Sequence, residues 1–210
     1  MSAPAAGRAR TEILDAAAVL LGRDGYQAAT VRAIAARVGI KAASIYHHFP
    51  SKDAIVQAVL DRGVVVVHEA VEAALAALPA DAPAAVRLRA ALRAHLAASL
   101  EHGAYTYAAV RGFGSVPAAV RAPNRGVRRA YEDLWRSIVA DLQTQGLVDR
   151  EIPPDGVRLM LLGALNWANE WYRPGGLSLD EVADSFARIV TQRQPAANIA
   201  SAARPRIRPL

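Results

Sequence analysis

The chain has 210 residues, 53% hydrophobic and 21% charged, with no cysteine and a net charge of +6. Apolar content on this scale builds a sizeable core and excludes an unfolded chain, while the missing thiols exclude disulfide frameworks, thiolate metal sites and cysteine nucleophiles. Positive charge gathers at the two ends: six basic against three acidic side chains in residues 1–50, four arginines and no acid in residues 192–210, and a slightly negative middle, as expected where an end of the chain meets a polyanion.

Nearly every segment reads as helix, because Ala, Leu and Arg dominate and no sustained alternation of β-branched residues is present. A first helix is expected over 11–23, with Ile13, Leu14, Ala17, Leu20 and Leu21 as its apolar stripe and Gly25 as its stop. A second begins after Thr30, a suitable N-cap, and ends at Gly39. A short third covers 42–48 and stops before Pro50. Ser51 caps a fourth, longer helix, and the one β-like patch, "GVVVVHEAV", lies inside it and is taken as helical. After the break "ALPADAP" come a helix over 83–101, an irregular stretch "HGAYTYAAVRGFGSVP", a helix over 124–145, the loop "VDREIPP", one apolar helix over 154–172, and a last helix opened by "SLDE", a capping box of Ser178 and Glu181. The tail 192–210, with Pro195, Pro205 and Pro209, is expected to lack structure. The longest apolar run, 159–168, is well short of the ~20 residues that span a bilayer, and the opening "MSAPAAGRAR" is not a signal peptide. The expectation is therefore a cytoplasmic protein with no membrane partner.

The window "VGIKAASIYHHFPSKDAI" is the most informative. With Val31 as first position, Ala35 is fifth, Gly39 ninth and Ile45 fifteenth. A small residue where two helices cross, a glycine at the tight turn and an apolar pin on the second helix describe a helix-turn-helix. Ile45 and Phe49 then face inward, and Lys41, Ala42, Ala43, Ser44, Tyr46 and His47 face outward. The two alanines allow close approach to a major groove and contact with thymine methyls. Tyr46 and His48 suit phosphates, and the amides at Ser51 and Lys52 open a helix whose N-terminus suits another. Thr30 and Arg32, at the start of the second helix, complete the candidate DNA-binding set. Adjacent histidines point about 100° apart and do not readily share a metal, and no metal or cofactor is expected.

The stretch from Thr11 to Leu60, above all the G-I-x-x-x-x-I-Y-x-H-F-x-S-K-D block, resembles the DNA-binding domain of the TetR family of transcriptional regulators. The family usually places Ser or Thr where Lys41 stands. Losing that cap loosens the start of the recognition helix and leaves Lys41 to reach DNA directly. The resemblance implies an all-α fold: a three-helix DNA-binding domain over 8–52, a ligand-binding and dimerisation domain over 53–191, then the tail. It also implies double-stranded operator DNA, a homodimer and a small-molecule effector as partners, with effector binding releasing DNA.

"LLGALNWANEWYRPGGLSLDEVADSFARIV" is similar to the last two helices of TetR-type regulators of lipid, steroid and acyl-CoA metabolism, which build a four-helix dimer bundle. Here Leu161, Leu165, Ala168, Phe186, Ile189 and Val190 are the candidate interface. An apolar or acyl-CoA-type effector is expected among Tyr105, Arg111, Phe113, Tyr131, Trp135, Asn166, Trp167 and Glu170, with Arg125, Arg128 and Arg129 also available for a phosphate. Two rival classes fit the sequence less well. A helical-bundle enzyme lacks a Glu-x-x-His pair, a nucleophile elbow and a phosphate loop. A non-specific architectural DNA binder would leave the aromatic second half without a purpose.

Overall fold

The computed structural model describes residues 3–191, and its regular structure is helical with no strand among the described residues. The reading of the tail lies outside them. Helix α1 (Ala3–Ala28) is interrupted at Gly25, whose φ 78 and ψ 179 are non-helical, so the long regular helix stops there as expected and a short helical turn continues to Ala28. The Tyr26 N–H released there donates to Ser115 Oγ at 3.0 Å. Helix α2 (Val31–Val38) begins at Thr30, whose hydroxyl accepts from the Ala33 N–H at 3.1 Å. Gly39, at φ 77, ends it in the left-handed conformation that favours glycine. Helix α3 is only Ala42–Ile45, and residues 46–48 form turns rather than the expected further helix. Lys41 gives α3 no side-chain cap, and Phe49 must leave the helical region ahead of Pro50.

Helix α4 (Lys52–Ala76) is capped by Ser51, which accepts from the Ala54 N–H at 3.1 Å. It absorbs the valine run, as expected from its context. Helix α5 (Ala84–Glu101) follows the predicted break. The stretch expected to be irregular is instead helical: α6 (Gly103–Tyr107) passes into a π-helical turn (Ala108–Gly112) and a 3-10 turn (Phe113–Ser115). Helices α7 (Ala118–Arg121) and α8 (Arg125–Thr144) come next. The single helix expected over 154–172 is two, α9 (Pro154–Asn166) and α10 (Ala168–Trp171), with the break at Trp167. The Trp171 indole N–H donates to the Ala164 carbonyl at 3.1 Å and so satisfies an acceptor beside the break. In α11 (Leu179–Thr191) the expected capping box forms: the Ser178 N–H donates to Glu181 Oε2 at 2.8 Å, and the Glu181 N–H to Ser178 Oγ at 3.2 Å.

Two apolar clusters share α4. Ile55, Val56, Val59 and Leu60 join Ile13, Leu21, Ile34, Ile45 and Phe49 in the first, which also takes Tyr105, Ala108 and Val116 from later in the chain. Val64, Val67, Val71 and Leu75 join α5, α8, α9 and α11 in the second, around the fully buried Trp135. Between the clusters the backbones touch. A Cβ added to Gly63 would lie 2.4 Å from the Tyr105 carbonyl oxygen, and one added to Gly112 would lie 2.9 Å from that of Leu21.

His95 is fully buried in the second cluster, with Nδ1 2.6 Å from the Tyr131 hydroxyl and Nε2 without a partner. Burial disfavours the imidazolium and pushes the His95 pKa down to about 3. The folded state therefore holds this ring neutral where the unfolded chain, with a pKa of about 6.5, takes up a proton. Stability should be insensitive to His95 above pH ~6.5 and erode below it, with a slope approaching ~1.4 kcal/mol per pH unit from this group. Denaturant midpoints measured from pH 7 to pH 4 should fall more steeply for the wild type than for His95→Gln.

Candidate functional site

The turn after α2 sets the outer surface. The Gly39 N–H reaches back to Ala36 O (3.3 Å) and the Ile40 N–H to Ala35 O (3.0 Å), which turns the chain tightly into α3. Ile45 and Phe49 are buried beneath it. Lys41, Ala43, Tyr46 and His47 are exposed, as are Thr30 and Arg32, while Ala42, Ser44 and His48 are half-buried. The ten candidate DNA-binding residues thus remain at least partly open to solvent. Lys52 is a special case. Its Nζ lies 3.8 Å from the centre of the Tyr26 ring, whose hydroxyl donates to Asp53 at 2.5 Å. Partial burial lowers the Lys52 pKa, with Asp53 opposing. The cation is parked on an aromatic face at the start of α4, beside the recognition turn. Arg10 stacks over Phe49 at 4.2 Å and adds a basic group that the local motif did not reveal, since α1 packing alone brings it there.

The second site is a partly open cavity of about 280 Å³ bordered by α4, α5, α6, the π-helical turn, α8 and α9. Its wall is apolar at Val64, Val67, Leu159 and Leu162, and polar at Arg128, Glu132 and Arg158. Arg158 is buried, donates to Asp155 at 2.8 Å and lies 3.8 Å from Glu132. Arg128 donates to the Asn124 side chain at 2.5 Å and to the Ala109 carbonyl at 2.6 Å, and lies 3.9 Å from the centre of the Phe113 ring. Burial pulls the Arg128 pKa below the ordinary guanidinium value, against the pull of Glu132 and Asp61.

Of the eight residues expected to bind an effector, Tyr131 and Asn166 line this cavity. Tyr105 is buried in the first cluster, its hydroxyl donating to Asp15 at 2.5 Å. Trp135 is plain core. Phe113 sits between Arg121 and Arg128, and the exposed Arg111 lies over Trp167. Glu170 borders a separate, more open cleft of about 410 Å³ between α1, α6 and α10. Sequence reasoning chose aromatics for their chemistry, whereas the cavity takes its polar character from Arg128, Glu132 and Arg158.

Residues 13–59 match the model of bacterial regulatory proteins of the tetR family, and residues 81–193 match that of the tetracyclin repressor-like C-terminal domain. The repressor KstR2 of Rhodococcus jostii is 30% identical over 187 residues, covering 86% of this chain and 88% of that protein. The chain belongs to the TetR family of transcriptional regulators. Among solved structures, the TetR family regulator PfmR of Thermus thermophilus is 28% identical with a TM-score of 0.70, over 85% of this chain and 96% of that one. AibR, solved with isovaleryl coenzyme A and operator DNA, shares the fold at 23% identity and a TM-score of 0.73, over 87% of this chain and 97% of that one.

The TetR assignment puts weight on the face formed by the last helices. Leu161, Leu165 and Ala168 are spent inside the chain's own core, because α9 packs that side against α5 and α8. Phe186 and Val190 are half-buried, with Phe186 against the Trp171 ring. Ile189 is 67% exposed, and Leu159, Met160, Trp167 and Trp171 also stand open. The exposed face is thus the opposite side of α9 from the one expected. On the DNA side, Lys52→Ala should weaken binding to all sequences alike and reduce the slope of log affinity against log salt by about one. An unchanged slope in fluorescence anisotropy titrations would show that Lys52 makes no phosphate contact.

Proposed function

We propose that this chain is a repressor that binds a near-palindromic operator as a homodimer and is released by a small amphipathic effector held in the central cavity. The observation that carries this reading is the course of α4. It opens at Lys52, beside the recognition turn, and its residues Gly63, Val64 and Val67 form the cavity wall. Occupancy of the cavity therefore acts on the helix that seats the DNA-binding half. No helix among the described residues is long and apolar enough to cross a membrane, which accords with a cytoplasmic site of action. The cavity lies at the small end of ligand pockets, which run from about 300 to 1,000 Å³. It suits a compact apolar or acyl body. If the effector is an acyl-CoA, its nucleotide stays outside. AibR's complex with isovaleryl coenzyme A and operator DNA belongs to a protein alike in fold, and the effector class here rests on the cavity itself.

The homodimer rests on the exposed apolar side chains of α9, α10 and α11. Leu159, Met160, Trp171 and Ile189 are large apolar side chains left open on these helices, and pairing them with a second copy would place two recognition elements for successive major grooves. Selection from random-sequence DNA followed by footprinting should return one protected palindrome, whereas uniform weak protection would favour the architectural DNA binder. Ile189→Asp should yield a folded monomer by light scattering, since the side chain is exposed in the single chain. A dimer of unchanged mass would sink this interface.

A further inference from the structure

Arg128 is a half-buried cation among neutral partners. Its guanidinium donates to Asn124 Oδ1 and to the Ala109 carbonyl, and no carboxylate pairs with it within 4.0 Å among the described residues. Arg158, across the same cavity, is already held by Asp155 and by Glu132. Glu132 is shared in turn with Arg136, at 3.4 Å. Arg158 thus has its carboxylates in contact, whereas Arg128 has none within 4.0 Å and feels Glu132 and Asp61 only at longer range, and a desolvated cation without a direct ion partner is costly. An anionic group entering the cavity would remove that cost with charge-assisted hydrogen bonds.

The partners of Arg128 lead out of the cavity in two directions. Asn124 is fully buried and donates to Asp61 Oδ1 of α4 at 2.7 Å, nine residues from Lys52. Ala109 belongs to the π-helical turn whose Gly112 touches the α1 backbone at Leu21. Arg128 therefore holds, through one side chain, the helix that begins at the recognition turn and the segment that supports α1.

Resting on the effector reading above, we propose that Arg128 recognises the carboxylate or phosphate head of an amphipathic effector and reports it to the DNA-binding half by giving up Asn124. The anion takes the Nε–H donor now spent on Asn124 Oδ1. Asn124 then loses the bond that orients its amide towards Asp61, and the hold on α4 slackens. The specificity of the site follows: an apolar body of modest size bearing one anionic group at the Arg128 end.

The test uses the full chain, an operator selected from random DNA, and three probes: octanoate, octyl phosphate and octanol. Calorimetry should show at least one of the two anions binding wild type roughly tenfold or more tightly than octanol, and Arg128→Gln should erase that preference. Which anion binds better distinguishes a carboxylate effector from a phosphate one. The bound anion should weaken operator affinity by about 5-fold or more. Asn124→Ala, which removes the competitor for the Nε–H, and Asp61→Ala should bind the anion at least as tightly as wild type and bring that ratio close to one, and Asp61, being half-exposed, serves if the buried Asn124 variant fails to fold. Equal binding of octanol and both anions would overturn the recognition role of Arg128 while leaving the cavity as an effector site. Full coupling in Asp61→Ala would overturn the relay. If none of the three probes binds, both this inference and the effector reading fall.

Discussion

The structure depends on α4 belonging to two cores at once. Its first half is buried against the helix-turn-helix and its second half against the cavity-bearing bundle, with Gly63 where the two meet. Close-packed interiors resist sliding, because any shift of one side chain meets another. At Gly63 the contact is backbone to backbone, so even the small adjustments that side chains permit are unavailable there. A perturbation of the bundle end would therefore be carried as tilt of the whole helix rather than absorbed at Gly63.

The second support of the DNA-binding half is the segment from α6 through the π-helical turn. Tyr105 bonds Asp15 of α1, Ser115 accepts the Tyr26 N–H at the bend, and Gly112 lets the turn lie against Leu21. A π-helical turn widens the backbone and is common at functional sites. Here it presents the Ala109 carbonyl to Arg128 while its other face meets α1. The DNA-binding half is thus docked on two elements, α4 and the π turn, and one arginine touches the second directly and the first through Asn124.

Most of what was legible in the sequence came from local rules. Thr30, Gly39, Ser51 and the Ser178–Glu181 box each act within four residues, and each cap or turn formed as expected. Lys41 supplies no side-chain cap, yet α3 still starts at Ala42 as expected, and it is the end of the helix that falls short. What stayed hidden needed long-range information. The break at Trp167 involves no Gly or Pro and is satisfied by an indole four residues on. The sequence offers Arg128 for a phosphate only on equal terms with Arg125 and Arg129, and gives no sign of Arg158, because nothing local says which arginines the packing of α8, α9 and the π turn will enclose. The same absence of partner information put Leu161 and Leu165 on an outer face, when α5 and α8 already occupy that side. Of the aromatic set only Tyr131 lines the cavity, because Trp135 and Tyr105 fill the two cores.

Simple geometry shows that the junction at Gly63 is placed to matter. Helix α4 has 25 residues, roughly 37 Å at 1.5 Å per residue, and Gly63 lies about 17 Å from its start. A tilt of roughly 5° about that point moves the Lys52 end by about 1.5 Å, and in a symmetric dimer the two ends separate by about 3 Å. Recognition elements must stay about 34 Å apart to enter successive major grooves, and hydrogen bonds to bases and phosphates weaken steeply beyond about 3.2 Å. In the proposed dimer, a movement that small would be enough to disengage one half-site. It also demands little energy: typical couplings of about 1–3 kcal/mol match the net worth of one or two charge-assisted hydrogen bonds, which is the scale of exchange available at Arg128.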